Sequence, residues 1–155
     1  MLIILNTKRA VQILYDFLKE QISEDIELVQ LTTYMCAAHR LDVIEALKSK
    51  LHSKKIICIS TQLIEAGVDI SFEMVVRSLS GLDSIAQAAG RCNRNGELTE
   101  GKVYVINYDE ENTNQLVDIR KGKSASKAVF DYDIKDILSE QALDLYYTQY
   151  YWNRY

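Results

Sequence analysis

Proline is absent from this 155-residue chain and glycine occurs only six times, which excludes collagen-like, linker-dominated and low-complexity organisation. Cysteine is scarce as well: Cys36, Cys58 and Cys92 are odd in number and lack the close pairs of a disulfide framework or a zinc site. No apolar run approaches bilayer-spanning length and no leader pattern opens the chain, so a cytoplasmic location away from membranes is expected. Positive charge is not in surplus either. Eighteen Lys and Arg stand against 22 Asp and Glu, net −4, so any contact with nucleic acid must come from a local cluster. The two histidines, His39 and His52, lack the histidine and aspartate company that a metal nuclease needs, and no metal site is expected.

What the chain does have is a normal globular balance, 48% hydrophobic and 26% charged, enough to bury one core. Leu2-Ile3-Ile4-Leu5 reads as a buried strand, and the helical spacing of Ala10, Val11, Leu14, Phe17 and Leu18 follows it. The pattern then repeats. Ile26 to Leu31 reads as a strand, Leu41 to Leu51 as a helix running into a basic tract, and Ile56 to Ile59 as another strand. A strand at Met74 to Val76, a helix from Leu82 to Arg91 and a strand from Lys102 to Ile106 complete the series. Such alternation predicts an α/β, three-layer fold with a mainly parallel sheet flanked by helices over residues 1–107. Residues 108–155 differ in texture. They hold an acidic loop (Asp109, Glu110, Glu111), a mobile-looking Lys121-Gly122-Lys123-Ser124 segment, and a helix ending in Tyr146, Tyr147, Tyr150, Tyr151 and Trp152, read as a helical appendage. Those aromatics suit a packing stripe better than a platform for stacked bases.

In an open parallel sheet, ligands bind at the carboxyl ends of the strands, which directs attention to the loops after Ile59 and Val76. The first begins Ser60-Thr61-Gln62 and reaches a Gly67-Val68-Asp69 turn. A hydroxyl and an amide there suit a phosphodiester backbone, and the carboxylate can accept from a ribose hydroxyl or orient an arginine. The second loop contains Gln87, Gly90, Arg91 and Arg94. The two arginines are predicted on one side of a helix end, and guanidiniums are permanently charged planar forks suited to phosphate. Taken alone, the pair at that spacing favours holding carboxylates such as Asp69, Asp83 or Glu97 over binding an anion. The stretch Gly96 to Lys102 has phosphate-loop spacing, but Val103 replaces the hydroxyl residue that would hold magnesium, so it is read as a turn.

Together the two loops resemble a known pattern. Ser60 to Ile70 is similar to motif V, and Gln87 to Gly96 to the Gln-x-x-Gly-Arg-x-x-Arg motif VI, of superfamily-two helicases. Within that group, Ser60 to Asp69 and Leu82 to Arg94 most closely resemble the CRISPR-associated helicase-nuclease of type I systems. Leu31 to Arg40 is a weaker match, with Ala37 where that family has proline. The resemblance covers roughly Leu2 to Ile106 and implies a RecA-like C-terminal motor domain. It implies that Thr61 and Gln62, with Thr33 and Arg40, contact DNA. It implies that Gly67, Asp69 and Gly90 line the nucleotide side, and that Gln87, Arg91 and Arg94 face the ATP phosphates, Arg94 being the first choice for an arginine finger. Glu65 is read as structural.

The same resemblance implies ATP and Mg2+ as cofactors, both held mainly by a first RecA-like domain, since the chain shows no phosphate loop and no Asp-Glu magnesium box. By itself the chain is therefore expected to be inactive and monomeric, working beside that first domain on single-stranded DNA and recruited by an RNA-guided CRISPR surveillance complex in antiviral defence. Two alternatives stay open. One is the C-terminal domain of another superfamily-two repair helicase; the other is a non-catalytic, motor-derived binding module acting through its tyrosine-rich tail.

Overall fold

The computed structural model describes residues 1–65 and 68–152. Five strands, β1 (Leu2–Ile4), β2 (Ile26–Leu31), β3 (Lys55–Ser60), β4 (Met74–Ser78) and β5 (Lys102–Ile106), form one sheet in the order β2-β3-β1-β4-β5. Every neighbouring pair is parallel, with Leu2 level with both Cys58 and Val75. Parallel strands need crossovers, and helices α1 (Lys8–Gln21), α2 (Ala37–Lys50) and α3 (Leu82–Ala89) supply three of them.

Alternation along the strands builds two apolar layers, because successive side chains point to opposite faces. Leu2, Ile4, Ile56, Cys58 and Val75 pack with Leu47 of α2 and Ala88 of α3. On the opposite face, Ile3, Leu5 and Ile59 pack with Ala10 and Val11 of α1. Thr7 caps α1, its hydroxyl accepting from the Ala10 N–H at 3.1 Å. Ala37 is the first residue of α2, the position at which proline is tolerated, so the departure from the family pattern there needs no change of backbone.

The expected α/β three-layer architecture is present, but the tail differs from its sequence reading. Lys121 to Ser124 is not a loose segment: it lies inside α4 (Val117–Phe130), which together with α5 (Glu140–Trp152) packs against α3. Gly122 permits this packing, because a Cβ there would lie 2.8 Å from the Cα of Gly81. Tyr146 is buried between the elements and its hydroxyl donates to Asp83 at 3.0 Å, whereas Tyr147 and Trp152 are exposed. The aromatic stripe is thus split between core and surface. No helix among the described residues is long and apolar enough to cross a membrane.

Candidate functional site

Connections leave β1 toward β2 and leave β4 toward β5, in opposite directions, so the crevice between the carboxyl ends of β1 and β4 is the topological switch point of the sheet. Three polar structures gather around it.

The first is a groove lined by Asn6, Thr7, Lys8 and Arg9 at the start of α1, Thr33 and Tyr34 after β2, Thr61 and Gln62 after β3, and Asn112, Gln115 and Leu116 beyond β5. The neighbouring Ser60 is fully buried, its hydroxyl donating to the Leu31 carbonyl at 3.0 Å. Of the four expected DNA contacts, Thr33, Thr61 and Gln62 come together here. Arg40, in α2, is not among the lining residues. Lys8 and Arg9 escaped the sequence reading, although two cations opening a helix straight after a strand are a visible signal. The Lys8 ammonium lies 4.3 Å above the Tyr34 ring.

The second structure joins the two motif-like loops. Gln62–Ile64 forms a 3-10 turn, and Arg91 reaches under it: Nε donates to the Ile64 carbonyl at 3.1 Å and a terminal nitrogen to the Glu65 carbonyl at 2.7 Å. Arg91 is buried, and its pKa is lowered first by burial and then by the charge of Arg94. Helix α3 ends at Ala89, two residues earlier than expected, because residues 91–93 turn to pair with Phe72. The Phe72 N–H donates to the Arg91 carbonyl at 2.9 Å and the Asn93 N–H to the Phe72 carbonyl at 2.7 Å. Asn93 adopts φ 47° and its side chain closes the turn onto both backbone groups of Leu98. The two arginines therefore diverge instead of sharing one side of a helix. Arg91 points inward, while Arg94 lies on the surface with its Nε 2.7 Å from Asp69 Oδ1, both side chains well exposed. Gln87 and Gly90 are exposed as well. Gly67 lies outside the described residues.

The third structure is a buried polar chain. Arg77 and Glu65 form an ion pair at 2.7 Å with almost no exposure, and Ser84 of α3 bridges them, its hydroxyl donating to Glu65 at 2.6 Å and accepting from Arg77 at 2.9 Å. Burial holds the Glu65 carboxyl above its usual range, opposed by Arg77 and by the Ser84 hydroxyl. Arg77 also donates to Asn6 Oδ1 at 2.9 Å and to the Ser78 carbonyl at 2.7 Å. Glu65 is structural, as its sequence context suggests. Its partner Arg77 escaped the reading because a lone arginine in an apolar strand carries no spacing signal.

Comparison with known proteins bears on the family and the fold. The sequence profile of the family described as "CRISPR-associated nuclease/helicase Cas3, C-terminal" matches residues 1–97. The CRISPR-associated nuclease/helicase Cas3 of Haloferax volcanii is 51% identical over 61 residues, 36% of this chain and 6% of that protein. The Cas3 of Methanothermobacter thermautotrophicus is 32% identical over 93 residues, 57% of this chain and 11% of its own length. The chain thus spans only a small part of the relatives it matches. Among solved structures, Cas3 of T. fusca with ATP superposes with a TM-score of 0.71 at 17% identity, covering 99% of this chain and 20% of that one. Domain 2 of the DEAD-box helicase Mss116p bound to an RNA duplex gives 0.60 at 20% identity, covering 93% and 56%. These likenesses establish a RecA-like helicase fold, and with the profile match over residues 1–97, the chain belongs to the Cas3 C-terminal helicase family.

Proposed function

We propose that this chain is the second RecA-like motor lobe of an ATP-dependent translocase acting on single-stranded DNA, and that it works only when a first lobe closes over it. The observation that carries this reading is the join between the two loops. The turn that presents Thr61 and Gln62 to the groove is held by the same Arg91 that belongs to the arginine segment.

Thr61, Gln62 and Thr33 offer small polar groups for phosphodiester oxygens, and Lys8 and Arg9 supply the local positive charge that the net composition lacks. Neutral hydroxyls and amides at a strand end grip a backbone without reading bases. On the other side of the turn, the residues fit one wall of a triphosphate site. Arg94 is exposed and pairs with an exposed carboxylate, so a phosphate can displace Asp69 at little cost. Bound Mg2+-ATP would supply the phosphoryl group and the driving free energy. Arg94 would meet the charge that develops on the phosphoryl oxygens, as a permanently charged fork does, with Gln87 assigned to the same wall. Arg91 keeps its guanidinium on the turn and so transmits displacement of the arginine segment to Thr61 and Gln62. In this role the lobe serves an RNA-guided CRISPR complex by moving along the displaced strand in antiviral defence.

ATP turnover of the full-length protein, followed against added oligo-dT, tests the reading. In Thr61→Ala/Gln62→Ala, turnover should no longer rise with DNA at concentrations that saturate the wild type. An unaltered DNA response would remove the groove from the mechanism.

A further inference from the structure

Glu111 belongs to the acidic stretch after β5, yet it differs from Asp109 and Glu110: those two are exposed and Glu111 is buried. Its carboxylate occupies the switch-point crevice. One oxygen accepts from the backbone N–H of Asn6 and, at 3.0 Å, from that of Thr7. The other accepts from the Asn6 amide at 2.7 Å and the Ser78 hydroxyl at 2.7 Å. Lys123 of α4 lies 3.9 Å away. Four donors, three from the connection between β1 and α1 and one from the end of β4, thus converge on one side chain of the extension. Directly after it, Asn112, Gln115 and Leu116 line the same groove as Thr61 and Gln62. The Asn112 oxygen accepts from the Asn114 N–H at 3.0 Å, which orients its amide, and Leu116 N–H donates to the Thr113 carbonyl at 2.9 Å, which shapes the turn.

We propose that Glu111 is a latch that fixes residues 112–116 as the outer wall of the strand groove, making Asn112 and Gln115 two further contacts to a nucleic-acid backbone. The inference rests on the groove being the strand site, as proposed above. It assigns the extension a part in binding and makes Glu111 a positioning residue. A carboxylate beside a polyanion site ordinarily weakens binding, because like charges repel. Here the negative charge is consumed by four donors, and its structural effect has the opposite sign.

That opposition makes the test decisive. Affinity of the full-length protein for a short fluorescent oligo-dT is measured by anisotropy over a range of salt. Glu111→Gln removes a charge but presents an N–H2 group to a pocket of donors, so the wall is released. Affinity should then fall by at least about fivefold, comparable to loss of two hydrogen bonds, with faster amide exchange in residues 108–116. Were Glu111 only a repulsive charge, the same substitution would tighten binding, and that result overturns the proposal.

Asn112→Ala/Gln115→Ala alters exposed side chains and does not touch the buried latch, so it serves if Glu111→Gln folds poorly. It should lose a similar factor at every salt concentration, because neutral contacts release no counterions; Lys8→Ala should instead flatten the salt dependence. Thr61→Ala/Gln62→Ala separates the two levels. If it weakens oligo-dT binding and Asn112→Ala/Gln115→Ala does not, the wall assignment is wrong. If neither binds less DNA, the groove reading itself is overturned.

Discussion

Replacing Arg94 by alanine separates catalysis from stability more cleanly than any other substitution here. The Arg94–Asp69 pair is 2.7 Å long but exposed on both sides, with side-chain exposures of 45% and 77%. An ion pair in that setting contributes about 0–1 kcal/mol after solvent screening. For a domain of this size, about 1 kcal/mol shifts Tm by roughly 2–4 °C, so Arg94→Ala should unfold within about 4 °C of the wild type. The catalytic effect is of another order. An arginine finger contributes about 10³ or more in phosphoryl transfer, equivalent to about 4 kcal/mol of barrier. DNA-stimulated ATP turnover of the full-length protein should therefore fall by about 10³ while nucleotide binding, read by a fluorescent ATP analogue, falls far less. Calorimetry and a coupled phosphate-release assay on the same preparation give both numbers. Turnover within tenfold of the wild type, with an unchanged Tm, would refute the finger assignment.

Arg91→Ala should behave in the reverse order. It strips two carbonyls of charge-assisted hydrogen bonds, costing about 3–5 kcal/mol, and a Tm loss of about 10 °C is expected in thermal unfolding. Gly122→Ala, which in an open helix would stabilise by about 1 kcal/mol, should instead destabilise, because its Cβ would press on Gly81; chemical denaturation reads the sign. Lys50 donates to Glu27 at 2.7 Å and holds its carboxyl below the usual range. That contribution is present above the ordinary value of 4.5 and lost as pH falls through the depressed one, so Lys50→Ala should lower Tm slightly at pH 7 and not at all at strongly acid pH. Burial pushes the Cys58 thiol up to about 12 while Cys36 is exposed, so a thiol reagent at pH 8 should modify Cys36 rapidly and Cys58 only on unfolding.

Local order set much of this architecture in advance. Leu2 to Leu5 and Ile56 to Ile59 announce buried strands and Lys102 to Ile106 a further strand, and the helical spacing between them forces parallel crossovers, because apolar periodicity is a property of neighbouring residues. Thr61 and Gln62 were legible for the same reason, being small polar residues at the end of a recognisable strand. Arg94 could be named but not aimed. The turn that parts it from Arg91 depends on Phe72, some twenty residues earlier, pairing with residues 91–93. The extension was the least legible part. Whether Gly122 sits in a loop or a helix is decided by Gly81, and whether Glu111 repels or binds is decided by four donors on Asn6, Thr7 and Ser78. Propensity carries no record of such distant partners. The sequence by itself determined the strands, the helices and the chemical types gathered at the sheet edge. Only the tertiary structure decided which charges are buried, because the free energy of a buried charge depends on the groups that surround it in space.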